Sequence, residues 1–420
     1  MRIKVKAFGC KLTQCEAGTI ERALVSVGHE LPLSSPYDAV IVCGCTVTNR
    51  ADYKVRQYLR RVRKDWGVRR LFLAGCSAVK MDESAAKKLE IEALFPSNEP
   101  KAIIDYLADN DLQDNKLKPS SESITTFDGR TRGFVKIQDG CNQFCSYCIV
   151  PYVRGRERSV SPDEVIKRVN ELDLAEVKEA VLTGVHDGRY KYEGVDLAAL
   201  CRKILAETNI FRLRLSSIEP TEITNSLIDL LADSDRLAPH LHVPLQAGSN
   251  AVLEKMRRPY NREFYAEVVY KLHEKVKNIG IGADVIVGFP GETESDFEDT
   301  YNLIESLPIS YLHVFRYSPR KGTDAEKMPN QVQEEVKRLR MERLIELKEM
   351  KKQKFAESQI GIEQTVIVEK ISEANICQGW TGNYIKANFI SPLVSKNNIV
   401  ILQPNSYESD IIHCEVKNII

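Results

Sequence analysis

Three closely spaced cysteines are the residues of this chain best suited to chemistry. Cys141, Cys145 and Cys148, here called the loop triad, follow the spacing C-x3-C-x2-C in the run IQDGCNQFCSYCIVP. Cysteine thiolates bind iron–sulfur clusters, and three of them can hold three irons of a 4Fe–4S cluster. The fourth iron would stay open for a substrate, because the motif has no fourth cysteine. The alternatives are a zinc knuckle, whose usual second half does not follow here, and three unrelated buried thiols.

A second set of cysteines precedes this motif. Cys10, Cys45 and Cys76, here called the strand-end triad, each follow a predicted strand and each lie beside a glycine. The carboxyl ends of parallel strands meet at one edge of a sheet, so these thiols could converge although they are far apart in sequence. A second three-thiolate cluster and a set of reactive or buried thiols both remain open. Cys43 is predicted to lie in the core, and Cys15 on a helix.

Strands and helices must bring these cysteines together. The first segment alternates short β-rich runs with helical stretches, which is typical of a small parallel α/β unit. The predicted strands are Ile3–Phe8, Ala39–Cys43 and Leu71–Ala74, and the predicted helices are Glu16–Val27 and Tyr53–Lys64. The polar, aperiodic stretch Asp109–Ser123 predicts a linker.

The middle of the chain repeats strand, loop and helix. This pattern predicts a partial (β/α) barrel with its chemistry at the carboxyl ends of the strands. The loop triad follows the first strand, as that rule requires. The predicted strands are Gly133–Gln138, Ala180–Thr183, Arg212–Leu215, His240–Val243, Ala283–Val287 and Tyr311–Phe315, with Pro162–Asp173 and Arg262–Lys277 among the helices.

The end of the chain changes pattern. Gln333–Ser358 predicts a long, charged helix with one apolar stripe of Leu, Ile and Met, which is interpreted as a solvated bridging helix. Short β runs with turns between them follow Gly361 and predict a small β-barrel. The fold class is therefore α/β, with a parallel α/β domain over residues 1–118, a partial (β/α) barrel over 127–357 and a small β-barrel over 358–420. The β runs are Thr365–Glu369, Tyr384–Phe389, Asn398–Leu402 and Ile411–Val416.

Composition limits the function classes. The chain has 420 residues, eleven cysteines and a formal net charge of zero, which argues against a uniformly basic nucleic-acid-binding surface. No apolar run reaches the roughly 18 residues of a membrane span, and the start of the chain lacks the apolar core of a signal peptide. An odd number of cysteines without an export signal predicts a reducing compartment, so we expect a cytoplasmic protein without membrane contact.

The motifs resemble one enzyme family. The first segment contains FGCKLTQCE, VCGCTVTNRAD and LAGCSA, and the middle contains VKIQDGCNQFCSYCIVPYVRGRERS, LTGVHDGRY, LRLSSIEP, HVPLQAGSN, ADVIVGFPGET and VFRYSPRKGT. Over essentially the whole chain these motifs resemble the radical S-adenosylmethionine (SAM) methylthiotransferases. The end is similar to a TRAM domain, an RNA-binding β-barrel. CTVTNRAD, IQDGCNQFCSYC and SSIEP most resemble the subgroup that modifies threonylcarbamoyladenosine in tRNA. Departures at Thr13, Cys15, Asp187 and Lys191 flank the cluster cysteines and bear on substrate fit.

The resemblance implies a reaction with two 4Fe–4S clusters. SAM would bind the open iron at the loop triad and be cleaved by one electron, and the 5′-deoxyadenosyl radical would abstract hydrogen from the substrate. The second cluster, matched by the strand-end triad, would hold the sulfur that a second SAM methylates. The implied product is 2-methylthio-N6-threonylcarbamoyladenosine at tRNA position 37. Sister groups modify N6-isopentenyladenosine in tRNA or an aspartate of a ribosomal protein.

Four residues are predicted to contact SAM. Tyr147 lies between two cysteines of the loop triad, and Gly184 ends a strand where a methionine moiety could approach the backbone. Glu219 and Gln246 are polar groups at strand ends that could bond to the ribose or amino group. The alternatives are packing for Tyr147, a plain turn at Gly184, and structural hydrogen bonds for Glu219 and Gln246. His186, His240 and His242 are expected to be structural.

Arg154, Arg156 and Arg158 are predicted to contact RNA, because guanidinium forks suit phosphates and carboxylates. Trp380, Tyr384 and Phe389 could stack on bases, although core packing is expected for Phe389. The implied partners are tRNA and an electron-donating protein such as a flavodoxin or ferredoxin, and we expect a monomer. A non-enzymatic iron–sulfur electron carrier is the remaining alternative, but it would need neither barrel.

Overall fold

The computed structural model describes residues 1–47, 49–96, 99–109 and 131–420. The predicted linker therefore lies outside the described residues, apart from its first position. The chain divides into two compact units. The first comprises the described residues up to 129 together with 139–143 and 148–157, and the second comprises the rest. No helix in the described part of the chain is long and apolar enough to cross a membrane.

The first unit contains a four-stranded parallel sheet with the strand order β1-β2-β3-β4. The strands are β1 (Ile3–Phe8), β2 (Ala39–Gly44), β3 (Arg70–Ala74) and β4 (Ala93–Phe95). The helices are α1 (Lys11–Ser26), α2 (Asn49–Trp66), α3 (Cys76–Lys80), α4 (Glu83–Lys88), α5 (Pro100–Asp109) and α6 (Val150–Arg154). The predicted parallel α/β unit is confirmed, although β4 was not predicted and α1 begins earlier than expected.

Both faces of this sheet are buried, which explains its continuous apolar runs. On one face, Ile41 and Phe72 belong to a core cluster that also contains Ile20 of α1 and Ile103 of α5. On the other face, a second cluster combines alternate residues of β2 and β3 with Val55, Leu59 and Val62 of α2. Every residue of β2 is buried, so this strand forms the centre of the unit.

The second unit begins with a parallel arc of six strands, as the predicted partial (β/α) barrel requires. Sheet β11-β8-β5 and sheet β12-β13-β14 are joined by single bridges from Leu213 to Leu237 and from Ser217 to His242. The strands of the arc are β5 (Arg132–Lys136), β8 (Glu179–Thr183), β11 (Arg212–Arg214), β12 (His240–His242), β13 (Gly280–Val287) and β14 (Tyr311–Arg316). The short strands are β6 (Gln138–Asp139), β7 (Arg158–Ser159), β9 (Lys191–Tyr192) and β10 (Val195–Asp196).

Helices follow the strands of this arc. They are α7 (Pro162–Leu174), α8 (Leu197–Glu207), α9 (Asn225–Asp233), α10 (Asn250–Lys255), α11 (Arg262–Lys275), α12 (Glu294–Ser306) and α13 (Glu334–Glu357). The predicted apolar stripe of the long helix α13 is confirmed, whereas its interpretation as a solvated bridge is wrong for that face. Leu344 and Leu347 are buried there, and Arg340 forms a buried ion pair with Glu292 at 2.7 Å.

The chain ends in a closed five-stranded barrel, which confirms the predicted small β-barrel. The strand order is β15-β16-β17-β19-β18. The strands are β15 (Gln364–Ile371), β16 (Ile376–Thr381), β17 (Lys386–Ile390), β18 (Ile399–Glu408) and β19 (Ile411–Ile419). Strand β16 was not predicted, because Gly379 and the alternation of polar residues obscure it.

A buried charge cluster attaches the terminal barrel to the arc. Glu179 on β8 pairs with Arg214 at 2.7 Å and with Arg212 at 3.3 Å. The two guanidinium groups also donate to carbonyl oxygens of the terminal barrel, Arg214 to Gly382 at 2.8 Å and Arg212 to Thr365 at 2.8 Å. Burial alone would raise the pKa of Glu179, but Arg214 and Arg212 outweigh it and lower the pKa to about 2.

We predict that Glu179→Gln destabilises the protein by about 3–5 kcal/mol, because two buried guanidinium groups lose their counter-charge. The sign of the pH dependence follows from the lowered pKa. The ionised Glu179 contributes fully above the ordinary glutamate pKa, and its contribution is lost as the pH falls towards about 2. Urea unfolding at several pH values measures both effects.

The matched control is Glu171→Gln, at an exposed position of α7. This variant should unfold like the parent chain at every pH. If Glu179→Gln showed the same acid-induced loss of stability as the parent chain, the ion pair would not anchor the barrel.

Candidate functional site

The strand-end triad lies at one edge of the first sheet. Register pairs Phe8 with Gly44 and Cys43 with Ala74, so the first three strands end at the same level. Cys10 follows β1 as the N-cap residue of α1, Cys45 follows β2, and Cys76 begins α3 directly after β3. The cysteines therefore share the carboxyl edge of the sheet.

Two of these thiols are in hydrogen-bond contact. A hydrogen bond from Cys45, supported by Thr13 and by the charge of Arg154, lowers the pKa of Cys10 to about 5. The same hydrogen bond, together with burial, raises the pKa of Cys45. Gly9 has φ +146°, and a Cβ there would lie 2.3 Å from Cys45 Cβ. Glycine is therefore required for Cys10 and Cys45 to approach each other.

Cys76 receives a hydrogen bond from an arginine that follows the loop triad in sequence. Arg154 Nε donates to Cys76 Sγ at 3.2 Å. The same guanidinium binds both carboxylate oxygens of Glu16, at 2.9 and 3.0 Å, and Asp139 Oδ1 at 3.1 Å. Burial raises the pKa of the Cys76 thiol, and Arg154 opposes that effect.

The two remaining cysteines of the first unit lie apart from this edge. Cys43 is fully buried within the sheet core, and burial raises its pKa. Cys15 lies on α1 and is half-buried. These placements agree with the positions predicted for both residues.

The cysteines of the loop triad belong to different units. In the first unit, Cys141 Sγ accepts a hydrogen bond from Gln143 N at 3.3 Å, and its backbone N donates to Gly155 O at 3.1 Å. Cys148, also in the first unit, is half-buried two residues before α6. In the second unit, Cys145 is buried, and its Sγ accepts from Arg258 Nη1 at 3.2 Å.

Of the four predicted SAM contacts, Gly184 fills the most restricted position. A Cβ there would lie 2.4 Å from Asp187 Oδ1 and 2.8 Å from Gln138 O. Gln138 Oε1 also accepts from the backbone N of His186 at 2.8 Å. The backbone after β8 is therefore packed against its neighbours without room for a side chain.

The other three predicted SAM contacts have protein partners. The Tyr147 ring meets the edge of Phe289, with centroids 6.4 Å apart. Glu219 forms a buried ion pair with Arg258, the arginine that also contacts Cys145. Gln246 has φ 66°, a left-handed backbone conformation that is uncommon outside glycine.

Sequence reasoning missed Arg258 and Glu16. Both act through contacts with residues distant in sequence, Glu219 and Cys145 for Arg258 and Arg154 for Glu16. The only sequence signal for them is a charged residue within the short motifs QCE and MRRPY.

The histidines expected to be structural each contact a polar partner. His186 Nε2 lies 2.8 Å from Glu222, and His242 Nε2 lies 2.9 Å from Asp284. His240 Nε2 lies 2.8 Å from the hydroxyl of Tyr311.

The predicted RNA contacts differ in exposure. Arg156 and Arg158 are exposed, whereas the Arg154 side chain is only 10% exposed and is held by Glu16. This placement argues against phosphate binding by Arg154.

Tyr384 stacks on Trp380 and His240, with centroids 4.7 Å apart in each case. Its ring therefore packs between the terminal barrel and the arc.

The donor set of the strand-end triad fits an iron–sulfur cluster. Thiolates are the ligand form of cysteine, and the lowered pKa of Cys10 makes one thiolate available at neutral pH. The guanidinium of Arg154 supplies a positive charge beside Cys76. Three thiols at one sheet edge with a cation beside them match the needs of a negatively charged thiolate-bound cluster.

Comparison with known proteins identifies the family. Residues 135–304 match the radical SAM superfamily, and residues 2–96 match a family described as uncharacterized protein family UPF0004. The chain is 36% identical over 403 residues to the threonylcarbamoyladenosine tRNA methylthiotransferase of Bacillus subtilis, covering 91% of this chain and 89% of that protein. This chain belongs to the radical SAM methylthiotransferase family. An enzyme of this family uses SAM and a 4Fe–4S cluster.

Two further comparisons place this radical SAM methylthiotransferase among its relatives. It is 34% identical over 391 residues to the tRNA-2-methylthio-N(6)-dimethylallyladenosine synthase of Moorella thermoacetica, covering 89% of this chain and 88% of that protein. The fold matches the radical SAM methyltransferase TsrM from Kitasatospora setae, with a TM-score of 0.57, 14% identity, and coverage of 78% of this chain and 74% of that one. The TsrM match supports the fold alone.

Gly9→Ala should remove about half of the iron bound after anaerobic reconstitution, if the strand-end triad holds one of two 4Fe–4S clusters. The added methyl group would overlap Cys45 and separate it from Cys10. Iron and sulfide analysis of the variant measures the loss, and reductive SAM cleavage should persist.

Gly18→Ala on α1 is the control, because the nearest atom to its added Cβ is 3.8 Å away. Full iron content in Gly9→Ala would show that the approach of Cys10 to Cys45 is not needed for cluster binding.

Proposed function

We propose that this enzyme methylthiolates N6-threonylcarbamoyladenosine at position 37 of tRNA to 2-methylthio-N6-threonylcarbamoyladenosine, using SAM and two 4Fe–4S clusters. The observation that carries this proposal is the strand-end triad at one sheet edge, in a chain that belongs to the radical SAM methylthiotransferases. A radical SAM enzyme that only cleaved SAM would need the loop triad alone.

The two triads have different roles in the proposed reaction. When bound, the cluster at the loop triad supplies one-electron cleavage of SAM, and the cluster at the strand-end triad supplies the sulfur for transfer. Gly184 allows the backbone after β8 to pack against Asp187 and Gln138, and a contact between its peptide group and the methionine moiety of SAM is part of the proposal. Glu219 and Arg258 neutralise each other while Arg258 also donates to Cys145, so this pair orients a loop-triad thiol.

The choice of base rests on the Bacillus subtilis relative and on charge. The threonylcarbamoyl group carries a carboxylate, which calls for a cation in the pocket, whereas an isopentenyl group calls for an apolar one. Because Arg154 is held by Glu16 and Asp139, exposed Arg156 and Arg158 are the better candidates of the three for contacts with RNA or this carboxylate. The partner proteins are proposed to include an electron donor such as a flavodoxin or ferredoxin, and the enzyme is proposed to act as a monomer in the cytoplasm.

Replacing all three cysteines of the loop triad with Ala should remove about half of roughly eight irons and abolish reductive SAM cleavage. Replacing the strand-end triad should remove the other half, preserve SAM cleavage and stop methylthio transfer. Iron analysis and chromatography of 5′-deoxyadenosine and nucleosides measure these outcomes. Cys15→Ser and Cys43→Ala serve as controls that should keep both clusters.

The substrate prediction is tested with tRNA that carries either base. The reconstituted enzyme should methylthiolate the threonylcarbamoyl base at least tenfold faster than the isopentenyl base, since a missing charged partner typically costs more than 1.4 kcal/mol. Nucleoside mass spectrometry measures both products. Reaction with the isopentenyl base alone would overturn the proposed substrate but not the family.

A further inference from the structure

Arg154 forms a hydrogen bond with a cysteine of the strand-end triad and a buried ion pair at the same time. Its Nε–H donates to Cys76 Sγ at 3.2 Å, while both of its terminal nitrogens bind the carboxylate of Glu16. The side chain is 10% exposed, and that of Glu16 is 6% exposed. A guanidinium fixed in this way cannot turn away from the sulfur without breaking a buried bidentate ion pair.

Apolar packing supports the same placement. Cys76, Ile149 and Val153 form a buried cluster that brings α3 against α6. Arg154 is the last residue of α6, and Gly155 follows it with φ 74°. Both ends of the arginine are therefore constrained, the backbone by the helix and the guanidinium by Glu16.

The charges around Cys76 are unequal. Arg154 carries one positive charge. Glu16 and Asp139 each carry a negative charge, and both form ion pairs with Arg154. Removing the arginine would leave the carboxylates of Glu16 and Asp139 without the cation that both of them contact. Hydrogen bonds to the sulfurs and net charge are two of the factors that set the reduction potential of an iron–sulfur cluster.

We propose that Arg154 is a positioning residue that raises the reduction potential of the cluster at the strand-end triad, through its hydrogen bond and charge at Cys76. This inference rests on the proposed second cluster. Reduction adds one electron and increases the negative charge on the sulfurs, so an N–H donor and a cation stabilise the reduced state. Glu16 orients the donor and partly offsets its charge.

The second unit contains a comparable arrangement. Arg258 donates to Cys145 Sγ at 3.2 Å while it is paired with Glu219. In each unit, a buried arginine thus joins a glutamate to a cysteine of a triad. The repetition on unrelated elements supports a role at the sulfur, because core packing alone would not select the same donor twice.

The test uses the full chain in which the loop triad is replaced by Ala, so that only the strand-end cluster gives a signal. The cluster is reconstituted anaerobically and titrated with dithionite, with the midpoint read by electron paramagnetic resonance. Arg154→Gln should reduce the ratio of reduced to oxidised cluster about tenfold at a fixed potential, which is about 59 mV downward for one electron.

Two further variants separate charge from geometry. Arg154→Lys keeps the charge without the planar fork, so its midpoint should lie between those of the parent chain and Arg154→Gln. The double variant Glu16→Gln/Arg154→Met removes both members of the buried pair, and its midpoint should still be lowered. Arg69→Gln, at an exposed position of the first unit, controls for a general loss of positive charge and should not move the midpoint.

Three results would contradict the proposal or its premise. An unchanged midpoint in an Arg154 variant that holds the cluster overturns it. If all three Arg154 variants fold, as judged by circular dichroism, but lose the cluster, Arg154 is needed for assembly and the tuning role is wrong. If the loop-triad variant with native Arg154 binds no iron, the proposed second cluster itself fails, which is a separate result.

Discussion

Parallel strand register in the first unit is the constraint on which the candidate chemistry depends. Three cysteines separated by dozens of residues reach one sheet edge because β1, β2 and β3 end together. Burial on both faces fixes that register, since a slip of one residue would exchange the two core clusters. Apolar packing of the sheet therefore controls the positions of thiols that are themselves polar and reactive.

Buried arginine–glutamate pairs are the second recurring element. Glu179 anchors two arginines that bind carbonyl oxygens of the terminal barrel, and Glu16 and Glu219 each hold an arginine that touches a cysteine. Such pairs contribute little net stability because desolvation offsets their attraction. These pairs fix the direction in which each arginine donates its hydrogen bonds. The arginines paired with Glu179 donate to carbonyl oxygens, and those paired with Glu16 and Glu219 donate to cysteine sulfurs.

The sequence predicted what depends on local pattern. Short β-rich runs identified β1, β2 and β3, and the repeating strand–helix pattern identified the arc. Short or irregular elements were missed, notably Ala93–Phe95 and Ile376–Thr381, because three residues or a glycine within a strand leave a weak pattern. On α13 the apolar stripe was predicted, but the charged residues Lys337, Arg340 and Lys351 were expected to be solvated and are buried. Partners of Arg154 and Arg258 depend on long-range contacts that no spacing encodes.

The terminal barrel shows how these constraints bear on RNA binding. Tyr384, a candidate base-stacking residue, is packed between Trp380, His240 and the guanidinium of Arg214. Its ring therefore contributes to the attachment of the barrel, and it also lines a cavity together with Trp380 and Lys386. Because phosphate contacts dominate RNA affinity, exposed cations elsewhere matter more. Helix α2 buries Val55 and Leu59 in the sheet core and leaves Arg60, Arg61 and Lys64 exposed. The amphipathic pattern that builds the first unit thus also places basic residues on the exposed face of α2.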